Sequence, residues 1–230
     1  PDTTLIAGDE PFKRGIWITP HVEITDFWLD IIRPEVVRLF TCWLYFEPEP
    51  GRFDSTWIRN RLSLIPENID IMLNIFLTRG WMTGHTYITG WTEGSWPPLD
   101  TTTFKIAMEY IVKQTADRVQ YYQLVNEPNI DKMLNHDFGH WNGTVEQLIA
   151  LTDMFYDIVK EHNPNAKVIL SGLAPTGDLA DWGETFRECK FDIWDIHANG
   201  HHNPTMIINR LWDVDRSKEL IVSECTGPDQ

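Results

Sequence analysis

The chain has 230 residues, enough for one large domain or two small ones, and 42% of them are hydrophobic, which argues against a wholly disordered protein. Its 19 basic residues are outnumbered by 34 acidic ones, and the formal net charge is −15. This balance argues against nucleic acid or an anionic membrane as a partner. Because no apolar run is long enough to span a membrane, we expect neither a nucleic-acid nor a membrane partner.

The three cysteines and the first residues of the chain bear on disulfides, processing and localisation. Cys42, Cys189 and Cys225 form no CxxC pair, which argues against a disulfide scaffold and a zinc ribbon. One disulfide remains open, but small buried side chains are the favoured interpretation. The chain begins at Pro1 without Met or a signal-like segment, which predicts a mature or shortened form. We expect a secreted or extracellular protein.

Short apolar runs rich in Val, Ile and aromatic residues recur along the chain. Each is typical of a strand that is buried on both faces. The seven runs are Gly15–Pro20, Glu35–Phe46, Ile69–Leu77, Val119–Asn126, Ala166–Leu173, Phe191–His197 and Glu219–Glu224.

Helical patterns lie between these runs. Thr144-Val145-Glu146-Gln147 is a capping box that opens a helix through His162. Other predicted starts are Thr102 or Thr103 before Phe104–Thr115, Asp54 or Ser55 before Thr56–Leu64, and Asn203-Pro204 before a helix through Trp212.

The alternation of strands and helices predicts a parallel sheet with right-handed crossovers. An open doubly wound sheet is one solution, but its glycine-rich GxGxxG turn is absent. The spacing of the strand starts favours a barrel. We therefore predict the α/β class: a (β/α)8 TIM-type barrel with a missing or atypical eighth unit, forming one catalytic domain over residues 1–230.

Two glutamates end two of the most apolar strands. Glu127 follows strand four within Asn126-Glu127-Pro128, and Glu224 ends strand seven. Strands four and seven face each other across the mouth of a barrel, where the carboxyl ends of the strands carry the chemistry. Two carboxyl groups across a cleft are suited to acid–base and nucleophilic work on a glycosidic bond. Asp192 and Asp195, in contrast, are expected to face the helices or the bottom of the barrel.

These motifs resemble those of the retaining glycoside hydrolases called clan GH-A, or the 4/7 superfamily. The resemblance rests on Asn126-Glu127-Pro128 with a matching Glu224, and covers the whole chain in outline. Val37-Arg38-Leu39 resembles the clan's strand-two arginine segment. The stretch from Glu47 to Asp54, EPEPGRFD, resembles a segment that follows strand two in many members.

The resemblance implies roles for individual residues. Glu127 would be the acid/base and Glu224 the nucleophile. Arg38 would be the charge partner of Glu224, Asn126 would bind the sugar 2-hydroxyl, and His197 would orient a carboxylate or bind a hydroxyl. It implies hydrolysis of β-linked oligo- or polysaccharide with retention, and no cofactor.

Aromatic residues are predicted to line the substrate cleft, because aromatic faces stack on sugar rings. The long loop after strand three contributes Trp81, Trp91 and Trp96, and Trp141 follows strand four. Asn199, after strand six, is a further candidate. His197, His201 and His202 cluster in sequence, but we expect polar lining there and no metal.

The chain departs from the family pattern at its end. It stops at Gln230, six residues after Glu224, without an eighth strand. Thr3–Ala7 could fill the gap, the barrel could be natively short and close by dimerisation, or the protein could continue further. A monomer or an edge-paired dimer is expected. A non-catalytic carbohydrate-binding protein on the same scaffold and a metal-dependent barrel hydrolase are the alternative functions.

Overall fold

The computed structural model describes residues 15–18, 26–78, 80–86, 94–131, 139–176, 179–198 and 204–225. Strands and helices alternate through them. The strands are Gly15–Ile18 (β1), Val36–Cys42 (β2), Asp70–Phe76 (β3), Tyr121–Leu124 (β4), Lys167–Ile169 (β5), Ile193–Ala198 (β6) and Glu219–Cys225 (β7). The helices are Asp26–Ile32 (α1), Trp43–Phe46 (α2), Thr56–Ser63 (α3), Thr101–Thr115 (α4), Val145–His162 (α5), Leu179–Phe186 (α6) and Pro204–Val214 (α7).

The strands form one parallel sheet in the order of the chain, from β1 to β7. Cα atoms of β1 and β7 approach within 8 Å, so the sheet curls towards closure. Within the described residues these two edge strands are not hydrogen-bonded to each other. Over the described residues the prediction of a (β/α) TIM-type barrel with a missing or atypical eighth unit is therefore confirmed.

The inside of the curled sheet is apolar at one end and polar further along. Met72, Ile169 and Ile193 form a buried cluster, packed by Val36, Tyr121 and Ile221. Side chains two residues apart on a strand share a face. Four residues lie two positions beyond members of this cluster on the same strands, and all four are polar and buried: Arg38, Asn74, Gln123 and Asp195.

The outer face of the sheet packs against the helices. The larger core cluster joins Val37, Leu39 and Leu73 with helical residues such as Phe104 and Phe155. This two-sided burial explains why the strands appear in the sequence as nearly continuous apolar runs. Apolar packing against the helices stabilises the barrel wall, and the buried polar side chains lie inside the barrel towards its mouth.

Helix starts were only partly predicted. The capping box is confirmed: Thr144 Oγ1 accepts from Gln147 N, and Gln147 Oε1 accepts from Thr144 N. The predicted cap of α4 was wrong, because Asp100 caps it by accepting from the backbone N–H groups of Thr102 and Thr103. Asp100 precedes three threonines, and Asp is preferred over Thr as an N-cap, so residue type favours the residue that the prediction passed over.

The strand predicted over Glu35–Phe46 ends at Cys42, and the helical turn α2 follows. Within that turn Trp43 and Phe46 are fully buried, while Leu44 and Tyr45 are only partly so. Residues three apart share one face of a helix. A short apolar run fits a buried strand and a buried helical turn equally well, which explains the error.

Two smaller expectations concern cysteines and membranes. Cys42 and Cys189 are buried and unbridged, as expected for small core side chains, and burial raises the pKa of the Cys189 thiol. The side chain of Cys225 lies outside the described residues. Among the helices the structure describes, none combines the length and hydrophobicity of a membrane span.

Candidate active site

A hydrogen-bonded polar network crosses the barrel interior below the mouth. Arg38 Nη2 and Asn74 Nδ2 each donate to Gln123 Oε1 at 2.6 Å. Gln123 Nε2 donates to Asp195 Oδ2, also at 2.6 Å. Asp195 was predicted to face the helices or the bottom of the barrel, and since it is fully buried inside the barrel, the first of these positions was wrong. It shares the inward face of β6 with Ile193, as the two-residue period requires.

Arg38 joins this network to the mouth. Its side chain is 3% exposed, and Nη1 donates to Glu224 Oε1 at 2.5 Å. Nη2 also donates to Asn126 Oδ1 at 2.7 Å. A buried guanidinium thus holds the carboxylate of β7 and the amide that follows β4. The sequence-based expectation placed Arg38 beside Glu224, and the structure brings the two together.

A β-bulge directs two consecutive residues of β7 into the interior. The pairing of β6 with β7 shifts so that His197 pairs with Glu224, although Ile196 pairs with Val222. Ser223 is the extra residue, and its Oγ donates to Asp195 Oδ2 at 2.7 Å while Glu224 reaches Arg38. Without a bulge, neighbours on a strand point to opposite faces.

A strained backbone turn holds Glu127. Val125 and Glu127 have φ values of 62° and 46°, in the left-handed region that side chains with a Cβ rarely adopt. Such conformations cost about 1–3 kcal/mol each and persist only where surrounding contacts impose them. Here Asn74 Nδ2 donates to Val125 O, and Glu127 N donates to Gly172 O, both at 2.9 Å. Glu127 is therefore fixed at the mouth of the barrel.

His197 lies between the two glutamates. Its ring is fully buried, with Nδ1 2.7 Å from Glu127 Oε1 and 3.5 Å from Glu224 Oε2. On the other side, Nε2 lies 3.2 Å from Ser223 Oγ. A Cβ at Gly172 would collide with His197 Nε2, so the ring occupies space that only a glycine leaves open.

The two carboxyl groups share one cleft. Glu127, His197 and Glu224 each have a ligand-type atom within 4.8 Å of the others, so oxygens of the two glutamates lie within that distance. Three such atoms could also surround a cation, but the Arg38 guanidinium already lies against Glu224. A cation there would face a fixed positive charge. We interpret the cluster as an acid–base site, and the absence of a metal stays a prediction.

A second histidine flanks Glu127. His140 Nδ1 lies 3.4 Å from Glu127 Oε2. Burial lowers the pKa of His140, although the negative charge of Glu127 acts in the opposite direction. Burial alone would raise the pKa of Glu127. The hydrogen bond from His197 and the charges of His197, His140 and Arg38 outweigh burial and lower it.

The predicted aromatic cleft residues fall in different places. Trp81 is partly buried against the core, and its Nε1 donates to Glu47 O. Trp96 is partly exposed and lies against the His85 ring, with centroids 3.9 Å apart. Trp141 is 7% exposed and donates to Thr144 O. Sugar contact remains a prediction for all three, and Trp91, Asn199, His201 and His202 lie outside the described residues.

The Arg38 network yields a stability prediction. We expect Arg38→Met to lower the free energy of unfolding by about 3–5 kcal/mol, because it leaves the Glu224 carboxylate and the acceptors of Gln123 and Asn126 without their cation. Urea denaturation measures the change. The control is Arg59→Met, which breaks the exposed pair with Asp117 and is expected to cost about 0–1 kcal/mol. Equal losses in the two variants would contradict this account.

Known structures share this fold, although no profile of a protein family and no curated protein sequence matches the chain. A GH39 β-xylosidase from Caulobacter crescentus aligns with a TM-score of 0.69 at 14% identity, over 94% of this chain and 54% of that one. Xylanase XynB from Paenibacillus barcinonensis gives 0.60 at 13% identity, over 92% and 68%.

An exo-β-1,4-mannosidase, Op5Man5 from Opitutaceae bacterium strain TAV5, gives 0.55 at 20% identity, over 82% of this chain and 38% of that one. The chain spans about half of the length of the Caulobacter xylosidase and less of the mannosidase. At such identities the likeness concerns the fold alone. The chain thus shares its fold with known glycoside hydrolases.

Proposed function

We propose that the protein is a retaining glycoside hydrolase that cleaves β-glycosidic bonds in an oligo- or polysaccharide. The observation that carries this proposal is the pair formed by Glu127 and Glu224, whose carboxylate oxygens lie within 4.8 Å across one cleft. Carboxyl groups about 5–5.5 Å apart are typical of retaining enzymes, and separations of about 6.5–9.5 Å are typical of inverting ones. The short spacing favours retention.

The surroundings of Glu224 suit the role of nucleophile. Glu224 lies against the Arg38 guanidinium, which favours an ionised nucleophile. In the first step it attacks the anomeric carbon, and Glu127 gives its proton to the leaving oxygen. In the second step Glu127 takes a proton from water, whose oxygen displaces Glu224 and frees the sugar.

Asn126 completes the sugar-binding part of the proposal. Its Oδ1 accepts from Arg38, which assigns the oxygen side of the amide because arginine can only donate. The amide nitrogen is then the group available to donate, and we assign it to the sugar 2-hydroxyl. Trp81 and Trp96, beyond β3, are proposed to stack on sugar rings of a longer substrate.

The substrate class follows from the site and its structural relatives. The relatives are described as a xylosidase, a xylanase, a mannosidase and a galactosidase. All these names refer to neutral sugars, which suit a site that already holds its own carboxylates. The mechanism uses the side chains of this chain without a cofactor.

The test is turnover of p-nitrophenyl β-xyloside, β-mannoside, β-galactoside and β-glucoside, and of xylan and mannan. On an active substrate, proton NMR identifies the anomer that is released first. We expect the β anomer, because two displacements restore the configuration. First release of the α anomer would replace retention by inversion, and activity that a chelator abolishes would favour a metal-dependent hydrolase.

A non-catalytic carbohydrate-binding protein is the second candidate. It is favoured by the edges of the sheet, because β1 and β7 are not hydrogen-bonded to each other within the described residues and β7 carries Glu224. Fold alone does not fix turnover. Calorimetry separates the two: a sugar that binds but is not hydrolysed over days supports the binding protein.

A further inference from the structure

Asp195 is the most deeply buried carboxylate near the site, and the hydrolysis steps do not use it. It is fully buried. Its Oδ2 accepts from Gln123 Nε2 at 2.6 Å and Ser223 Oγ at 2.7 Å, and its Oδ1 accepts from Ser223 N at 3.0 Å. Among the described residues three donors and no acceptor point at this group, which fits the acceptor-only, ionised form of a carboxyl group.

This arrangement fixes the hydroxyl of Ser223. A serine hydroxyl has one proton to donate, and here the proton points to Asp195. The 3.2 Å contact between Ser223 Oγ and His197 Nε2 therefore needs its proton from the histidine. His197 must carry a hydrogen on Nε2.

The consequence lies on the other side of the ring. With Nε2 protonated, Nδ1 of a neutral imidazole is an acceptor. Nδ1 lies 2.7 Å from Glu127 Oε1, so a proton must lie between them. We propose that Asp195 and Ser223 are positioning residues that fix the tautomer of His197, so that His197 and Glu127 hold one shared proton for the leaving group.

The charges around the pair agree with one shared proton. Glu224 Oε2 lies 3.5 Å from Nδ1, Asp195 Oδ2 lies 3.9 Å from Nε2, and His140 faces the other oxygen of Glu127 at 3.4 Å. Arg38 is already paired with Glu224. Loss of the shared proton would leave the carboxylates of Glu127, Glu224 and Asp195 around a neutral ring, and their mutual repulsion disfavours that loss.

The lowered pKa of Glu127 corresponds to one of the two positions of this proton. Its lowering depends on His197 as a donor and a positive charge, which is the form with a proton on Nδ1. When His197 is neutral and protonated on Nε2, Glu127 is the donor and retains its proton. Both forms contain the same single proton, located on one or the other side of the 2.7 Å contact.

The experiment is nitrogen-15 NMR of the histidine rings in the whole protein, which needs no substrate. His197→Gln removes one set of ring signals and so assigns them. We expect Nε2 of His197 to carry a proton at neutral pH. An unprotonated Nε2 in the wild-type protein at neutral pH would overturn the proposal without any variant.

Variants test the role of Ser223. Ser223→Ala removes the acceptor of Nε2–H, and we expect the preference for that tautomer to fall about fivefold, as for the loss of one ordinary hydrogen bond. Ser223→Thr keeps the hydroxyl and should restore the wild-type signals. Ser63→Ala, at an exposed serine that bonds Asn60 O, is the matched control. Ring signals in Ser223→Ala that equal those of the wild type would refute the role.

The catalytic meaning of this inference rests on the proposed function, but its test does not. If no glycoside is hydrolysed and the tautomer is as expected, the hydrolase proposal fails and the positioning role stands. If hydrolysis is found and Nε2 is unprotonated, the positioning role fails and the hydrolase proposal stands. For an active substrate, the acid side of the pH–rate profile should shift in Ser223→Ala and return in Ser223→Thr.

Discussion

Replacement of Glu224 by Gln is expected to lower kcat by about four orders of magnitude or more on every substrate, as for other catalytic nucleophiles. The amide keeps the shape of the side chain but cannot form the glycosyl–enzyme bond, so even substrates with good leaving groups are not cleaved. The loss is measured with an aryl β-glycoside found active in the panel. Substantial turnover by this variant would remove Glu224 from the nucleophile role.

A matched control and a rescue separate chemistry from folding. Glu219→Gln changes an exposed glutamate on the same strand, paired with Lys167, and should leave kcat unchanged. In Glu224→Ala, azide can enter the space that the carboxylate occupied and attack the same face of the sugar. The product is then the α-glycosyl azide, formed by one displacement. A β-azide would contradict this assignment of the nucleophile.

The sequence predicted the positions of the two glutamates because strand ends can be recognised from local residues. Glu127 and Glu224 each follow a run of apolar residues, and in a parallel barrel such ends meet at one mouth. The placement of the two glutamates is a consequence of periodicity and of the chain order of the strands. The expectation that Arg38 lies near Glu224 came instead from the resemblance of Val37-Arg38-Leu39 to the strand-two segment of clan GH-A.

The details of the site depend on contacts between distant strands, and these could not be predicted. The bulge at Ser223 and the left-handed conformations of Val125 and Glu127 occur at ordinary residues without the glycine that would signal them. Asp195 was expected against the helices or at the bottom of the barrel because it does not end its strand. A polar partner from another strand, Gln123, makes its burial tolerable.

The aromatic residues illustrate a second limit. A tryptophan in a loop looks the same in the sequence whether its side chain packs against the core or binds a sugar. Trp141 lies in the core with its N–H bonded to Thr144 O, whereas Trp96 is partly exposed beside His85. Only the fold of each loop distinguishes the two, and loop folds follow from long-range contacts such as the bridge between Ser95 and Trp141.

Replacement of Glu127 by Ala should give a loss that depends on the leaving group. With a poor leaving group, such as a sugar, kcat/KM should fall about 10²–10⁴-fold, because the general acid is missing. With 2,4-dinitrophenolate, which leaves without a proton, the first step should be nearly unchanged and the second should become limiting. Stopped-flow absorbance should then show a burst of one dinitrophenolate per active site.

Azide also identifies the role of Glu127, and the expected azide product has the anomeric configuration opposite to that expected from Glu224→Ala. It needs no general base, so it should speed the second step in Glu127→Ala and form the β-glycosyl azide by two displacements. Glu161→Ala, an exposed glutamate on α5, is the control and should behave as the wild type. An equal loss with good and poor leaving groups would mean that Glu127 binds or supports the site. The proton shared by His197 and Glu127 would then not be transferred to a leaving group.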